Sequence, residues 1–190
     1  AEKLLHRFVH DVAGRYDRER NLPDAQATSG LSPYLHFGHL GAHEVLAAVT
    51  RAHRWTAGRL STPVTGSAEG WWGLPSEAEA FLDQLVTWRE LGFNGCLHIA
   101  GYDRYESLPD WVRSTLELHA SDPRPHRYTL SQFETASTHD PLWNAAQTQL
   151  RRDGVIHNYL RMLWGKKILE WSASPREALT TLIELNNRWA

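Results

Sequence analysis

The chain has 190 residues, 42% hydrophobic and 22% charged, a composition that suits one globular domain and excludes collagenous, disordered and membrane-spanning classes. A net charge of −2 makes no overall electrostatic case for nucleic acid, so a DNA binder of this sequence needs a local basic face. The single cysteine, Cys96, excludes an internal disulfide and fits a reducing cytoplasm, and no signal peptide or apolar run of about twenty residues is visible.

Residues Lys3 to Gly14 read as an amphipathic helix, with Leu4, Leu5, Phe8, Val9 and Val12 on one side. His6 and His10 lie four apart on it, without a third ligand in pattern, and read as surface histidines; no metal is expected. Tyr16 to Ala27 is polar, contains Pro23 and reads as a loop. Ser32 followed by Pro33 starts a helix, preceded by Thr28, Ser29, Gly30 and Leu31. Such a small-residue loop feeding a helix N-terminus can offer N–H groups to an anion, although an ordinary cap looks the same.

A helix follows from about Ala42 to Arg54, and Thr56 to Gly70 reads as a mobile connection. Ser76 to Glu79 spells a capping box ahead of Phe81, Leu82, Leu85, Val86 and Trp88, on a helix that should end near Gly92. On that helix Arg89 and Glu90 read as an exposed ion pair. Tyr102 to Glu106 is loop; Ser107 and Pro109 open a helix through His119, closed by Asp122 to Pro125, and Ser131 begins a short helix to about Ala136.

Asp140 and Pro141 start the helix that Gly154 ends. The next carries Val155, Ile156, Tyr159, Leu160, Leu163, Trp164, Ile168 and Trp171 at three- and four-residue steps, so Trp164, Ile168 and Trp171 share a face. Ser174, Pro175 and Glu177 then open a last helix bearing Ala178, Leu179, Leu182 and Ile183. No alternating strand pattern occurs, so the expected fold is all-α. Arg151, Arg152, Arg161, Lys166 and Lys167 cluster in one stretch, and Arg54 and Arg59 in another; by charge alone these read as solvated helix faces. Nine tryptophans are many for this length, and their first reading is core area.

The runs TSGLSPYLHFG (Thr28 to Gly38), TWRELGFN (Thr87 to Asn94), YDRYESLPDWVRSTLELHASDPRPHRY (Tyr102 to Tyr128), HDPLWNAAQ, HNYLRMLWGKKILEW, SPREAL and LNNRW together cover nearly the whole chain. They resemble the flavin-binding helical domain of the photolyase/cryptochrome superfamily, specifically the class II cyclobutane pyrimidine dimer photolyases. The resemblance implies one helical FAD-binding domain over residues 1–190, a piece lacking the N-terminal α/β antenna domain and the C-terminal helices. The opening Ala in place of Met fits a piece of a longer chain.

The same resemblance implies that reduced FAD is held by Tyr16, Thr28, Ser29, Gly30, Leu31, Ser32, Asn144, Arg161 and Asn186. In it, Asn186 faces N5 of the flavin and Arg161 stabilises the negative reduced ring. Trp164, Trp143 and Trp171 become the proximal, middle and distal members of an electron relay. Glu90 hydrogen-bonds the pyrimidine dimer, and Met162 packs beneath it. The (6-4) photolyases carry histidines where Asn158 and Met162 stand, so these two residues point to the cyclobutane dimer. The implied activity is light-driven repair of damaged DNA by a monomer in the cytoplasm, nucleoid-associated if bacterial, with the dimer flipped out of the duplex. A cryptochrome-like sensor and a flavin-free helical remnant binding DNA or protein are the alternatives.

Overall fold

The computed structural model describes residues 1–62, 66–67 and 69–189, and among them there is helix and no strand. The all-α expectation therefore holds. No helix among the described residues is long and apolar enough to cross a membrane. The chain divides into two compact units, Ala1–Gly95 and Cys96–Ala190.

The first unit opens with a long helical stretch whose winding changes along it. An α-helix α1 (Glu2–Arg7) widens into a π-type segment at Phe8–Val12, tightens at Ala13–Arg15 and resumes as α2 (Tyr16–Glu19). Leu5, Phe8, Val12 and Tyr16 recur at three- and four-residue steps, and all are buried. The loop expected from Tyr16 onward thus starts too early: burial of Tyr16 in the core draws another helical turn out of a polar sequence. A further turn forms at Pro23–Ala25.

After α3 (Ser32–His36) and α4 (Ala42–Ala52), the 3-10 turn Ala57–Arg59 leads towards α5 (Ser76–Leu82). Part of the expected mobile connection, residues 63–65 and 68, lies outside the described residues. Phe81 of α5 packs on Phe8 with ring centroids 4.5 Å apart and meets Tyr16 edge-on at 5.4 Å. Val45, Val49, Leu82 and Leu85 join this core.

The capping box expected at Ser76 and Glu79 does not form. Pro75 stands at the cap position, and Ser76 Oγ donates instead to Asp17. Glu79 is buried, and its carboxylate accepts from the amides of Gly70 and Leu74 (3.2 Å for the latter), pinning the returning loop. A π-type segment, Asp83–Trp88, then runs into α6 (Arg89–His98). This helix passes through Gly92, where the sequence led us to expect its end, because Gly92 costs helix stability without forcing a stop.

The second unit contains α7 (Asp110–Leu118), α8 (Leu130–Glu134), α9 (Pro141–Asp153), α10 (Asn158–Trp171) and α11 (Pro175–Trp189). Thr129, rather than Ser131, caps α8, in a reciprocal box with Gln132. Asp140 caps α9 as expected, its Oδ1 accepting from the amides of Leu142 and Trp143 at 2.9 and 3.0 Å. Gly154 takes the left-handed conformation that ends α9. Val155 and Ile156 precede α10, whose cap is His157; Nδ1 accepts from the Tyr159 amide at 3.2 Å. The last carbonyls of α10 are met by Arg124, whose guanidinium donates to Leu169 and Glu170. Ser174 opens α11 by accepting from the Glu177 amide at 3.2 Å. Phe133, Trp143, Leu150, Ile156, Trp164, Ile168, Trp171 and Leu185 form the core of this unit.

Candidate functional site: a buried tryptophan array and the groups around it

The caps of α9 and α10 decide where the large side chains of the second unit point. Asp140 fixes the first turn of α9 and thereby Trp143, while the spacing of Trp164 and Trp171 places both on the buried face of α10. All three indoles are buried, at 1%, 3% and 2% exposure for Trp143, Trp164 and Trp171. Trp143 lies against Trp164 in a near-parallel arrangement, centroids 6.4 Å apart and planes 3° from each other. It meets Trp171 edge-on at 6.0 Å. The contact order is therefore Trp164, Trp143, Trp171, an uninterrupted row of oxidisable rings.

Polar atoms around this row are specifically placed. Trp143 Nε1 donates to the Trp164 carbonyl at 3.1 Å, and Trp164 Nε1 donates to Gln147 Oε1 at 2.8 Å. At Trp171 the neighbours are His139, at 5.0 Å between centroids, Tyr128 at 5.8 Å, and the Lys167 ammonium 5.4 Å from the ring. Tyr128 and His139 are themselves joined by a 2.7 Å hydrogen bond. Sequence reasoning missed Gln147, although it closes the HDPLWNAAQ run.

Arg161, one helical turn before Trp164, and Asn186 of α11 are brought together: Nη1 donates to Asn186 Oδ1 at 3.1 Å. Among the described residues Arg161 forms no ion pair with a carboxylate. Burial pushes its pKa below the usual arginine value. A half-buried cation without a counter-charge, beside a neutral amide that both donates and accepts, suits an anionic ligand with mixed hydrogen-bonding edges, and so fits a reduced flavin. On the same helix Asn158 and Met162 are exposed. Asn144 spends its amide on Thr138, accepting from its amide and hydroxyl at 3.0 and 2.7 Å and donating to its carbonyl at 2.8 Å. That network pins the entry to α9.

The other expected site residues lie in the first unit. Glu90, on α6, is exposed and ion-paired with Arg89 at 2.5 Å. Tyr16 is a core residue, with Arg20 5.5 Å from its ring and its hydroxyl pKa pushed up by burial. Thr28 and Ser32 are exposed, Leu31 is buried, and Ser29 Oγ accepts from the Leu31 amide at 3.3 Å. Gly30 takes a φ of 65°. Ser32 occupies the first position of α3 rather than its cap, and that helix has five residues, so its dipole is small.

Fold and site together define an all-helical protein built, in its second unit, around a row of buried indoles ending near an arginine–asparagine pair. No protein-family model matches the chain. Relatives named deoxyribodipyrimidine photo-lyase do match it: one from Potorous tridactylus is 41% identical over 98% of this chain, and one from Oryza sativa 41% over 92%. Another, from Methanothermobacter thermautotrophicus, is 35% identical over 100% of it. The chain belongs to the photolyase family. It spans about a third of the length of these relatives, from 31% to 37%.

Proposed function

We propose that this chain supplies the flavin-binding helical part of a class II deoxyribodipyrimidine photolyase, a cytoplasmic monomer that repairs cyclobutane pyrimidine dimers in DNA with light. The observation that carries the reading is the uninterrupted row Trp164, Trp143, Trp171, which starts one helical turn from the Arg161–Asn186 pair in a chain of photolyase ancestry. FAD, when bound, supplies the light-driven electron donor.

The chain's own residues prepare that chemistry. Arg161 opposes the negative charge of a reduced ring, and Asn186 offers a neutral amide to the ring edge that carries hydrogen. Tyr16, Thr28 to Ser32 and Asn144 belong to the cofactor-binding set; Ser29 and Asn144 act there by shaping their loops through the hydrogen bonds described above. The row Trp164, Trp143, Trp171 would relay electrons to a flavin that has been photo-oxidised. Glu90, exposed on α6, hydrogen-bonds the damaged base, and Asn158 and Met162 meet the flipped dimer. Extrusion of the dimer costs a few kcal/mol, less where the damage has already weakened pairing and stacking, which favours lesions over intact DNA.

The test is the visible absorption spectrum of the purified chain before and after addition of FAD, followed by an assay for light-dependent loss of dimers from an oligonucleotide. Flavin bands surviving a desalting column, with dimer loss in light and none in the dark, are expected. In the same assay Glu90→Ala should slow repair at least about tenfold, on the order of one charged hydrogen bond, while leaving the flavin bands unchanged. A chain that retains flavin and repairs nothing would sink the assignment of repair to this piece.

A further inference from the structure

Gln147 is fully buried, yet nothing in the reading above assigns it a role. Its position between one partner that only donates and one that only accepts fixes the orientation of the amide. An indole N–H only donates, so the amide oxygen must face Trp164 Nε1, where it sits at 2.8 Å. A carbonyl only accepts, so the amide nitrogen must face the Glu134 carbonyl, where it sits at 3.3 Å. Burying such a group costs more than burying a leucine of similar size unless its hydrogen bonds are made, and here both ends are engaged.

The chemistry of an oxidised indole gives this contact a consequence. Loss of one electron from the ring makes its N–H strongly acidic, and the fate of the proton depends on the basicity of whatever accepts that hydrogen bond. A histidine or carboxylate would take the proton; an amide oxygen is far too weak a base. The hydrogen bond also strengthens when its donor becomes charged, so it favours the cation over the neutral ring. Trp143, the next ring, likewise donates to a non-basic oxygen, the Trp164 carbonyl.

We propose that Gln147 is a positioning residue of the tryptophan relay: it holds the Trp164 indole N–H on a non-basic oxygen, so that the ring loses an electron and keeps its proton. This rests on the relay reading given above. Trp164 gives one electron to an excited flavin acceptor, which is reduced by that electron, and remains as a radical cation with its N–H intact. One electron from Trp143 then restores Trp164, and no proton moves in either step. Charge leaves Trp164 without waiting for a proton to come back.

The experiment compares the native chain with Gln147→Leu and Gln147→Glu. Nitrogen-15 NMR of the indole groups needs neither light nor FAD. The Trp164 N–H should exchange slowly in the native chain and exchange faster, with an upfield shift, in Gln147→Leu. Transient absorption of the FAD-loaded chains should find a tryptophan radical cation in the native protein and a neutral tryptophan radical in Gln147→Glu above the pKa of the new carboxylate, with the cation restored on acidification. A purely structural role predicts the same radical in both.

A neutral radical at Trp164 in the native chain, or an unchanged cation in Gln147→Glu at every pH, overturns the role of Gln147 and leaves the relay standing. Retained flavin without any tryptophan radical overturns the relay reading as well, as does failure to retain flavin. If Gln147→Glu does not fold, Gln147→Leu decides: loss of the hydrogen bond should lower the yield of oxidised Trp164 by on the order of tenfold. An unchanged yield there overturns the proposal.

Discussion

Glu79 and Ser76 were paired by sequence and are separated by structure, and the two side chains should behave differently when removed. Glu79→Ala leaves the half-buried Leu74 amide without its partner and the exposed Gly70 amide to water, and should cost about 1–3 kcal/mol in all. Ser76→Ala removes an exposed hydroxyl and should stay within about 0.5 kcal/mol of the native chain. Urea unfolding of both variants checks this; equal losses would restore the capping box. Arg161 poses a different residue-scale question. Because burial lowers its pKa, the folded chain holds that proton less tightly than the unfolded chain does. The charge therefore opposes folding throughout the pH range in which arginine is protonated, and only a nearby anion relieves it. Reduced FAD should accordingly raise Tm more than oxidised FAD does. Asn186→Ala should weaken retention of reduced FAD by about tenfold, the worth of one hydrogen bond, in a fluorescence or ultrafiltration titration. Equal retention of both redox forms by the native chain would count against Arg161 as the charge partner.

At the scale of elements, the helices most legible in the sequence are those whose ends are settled by neighbours in the chain. Asp140, Pro141 and Gly154 bracket α9 by local chemistry, and Ser174 opens α11 in the same way. The ends of α2 and α6 depend on something else. α2 exists because the Tyr16 ring is buried between Phe8 and Phe81, a tertiary fact with no local signature. α6 runs past Gly92 and Gly95 with no buried side chain of its own, so neither periodicity nor a stop signal describes it. This makes opposite predictions for glycines of similar appearance. A Cβ at Gly92 or Gly95 meets nothing within 4 Å, so either change to Ala should stabilise the chain by about 0.5–1 kcal/mol. At Gly73, φ is +60° and a Cβ would lie 2.5 Å from the Arg59 carbonyl oxygen, so Gly73→Ala should destabilise by more than about 1 kcal/mol. Thermal melts of the three variants should split in sign; a stabilised Gly73→Ala would mean the turn beside Arg59 can open without loss.

For the molecule as a whole, motif order carried the family, because long runs such as HNYLRMLWGKKILEW constrain ancestry far more than composition does. The contact order of the indoles was not legible from spacing, since Trp143 sits on a different helix from the two rings it bridges. Charge bears on the proposed encounter with DNA. Of the five cations clustered between Arg151 and Lys167, two are ion-paired, Arg152 with Asp153 and Lys167 with Glu170, while Arg151 stands over Trp189 and Arg161 meets the neutral amide of Asn186. With a net charge of −2, this chain has no overall excess of positive charge to neutralise a phosphate backbone. Its affinity for dimer-containing duplex should therefore fall gently with salt. Each neutralised phosphate contributes about 0.9 to the slope of log K against log salt, and the slope here should be smaller than about 4 in magnitude. Lesion preference should persist as salt rises, because it comes from the reduced cost of extruding a damaged pair rather than from phosphate contacts. Titration of intact and dimer-containing duplexes from about 50 to 200 mM salt measures both quantities. A steep slope with lesion preference lost at the higher salt would mean that phosphate neutralisation, not base extrusion, governs recognition by this chain.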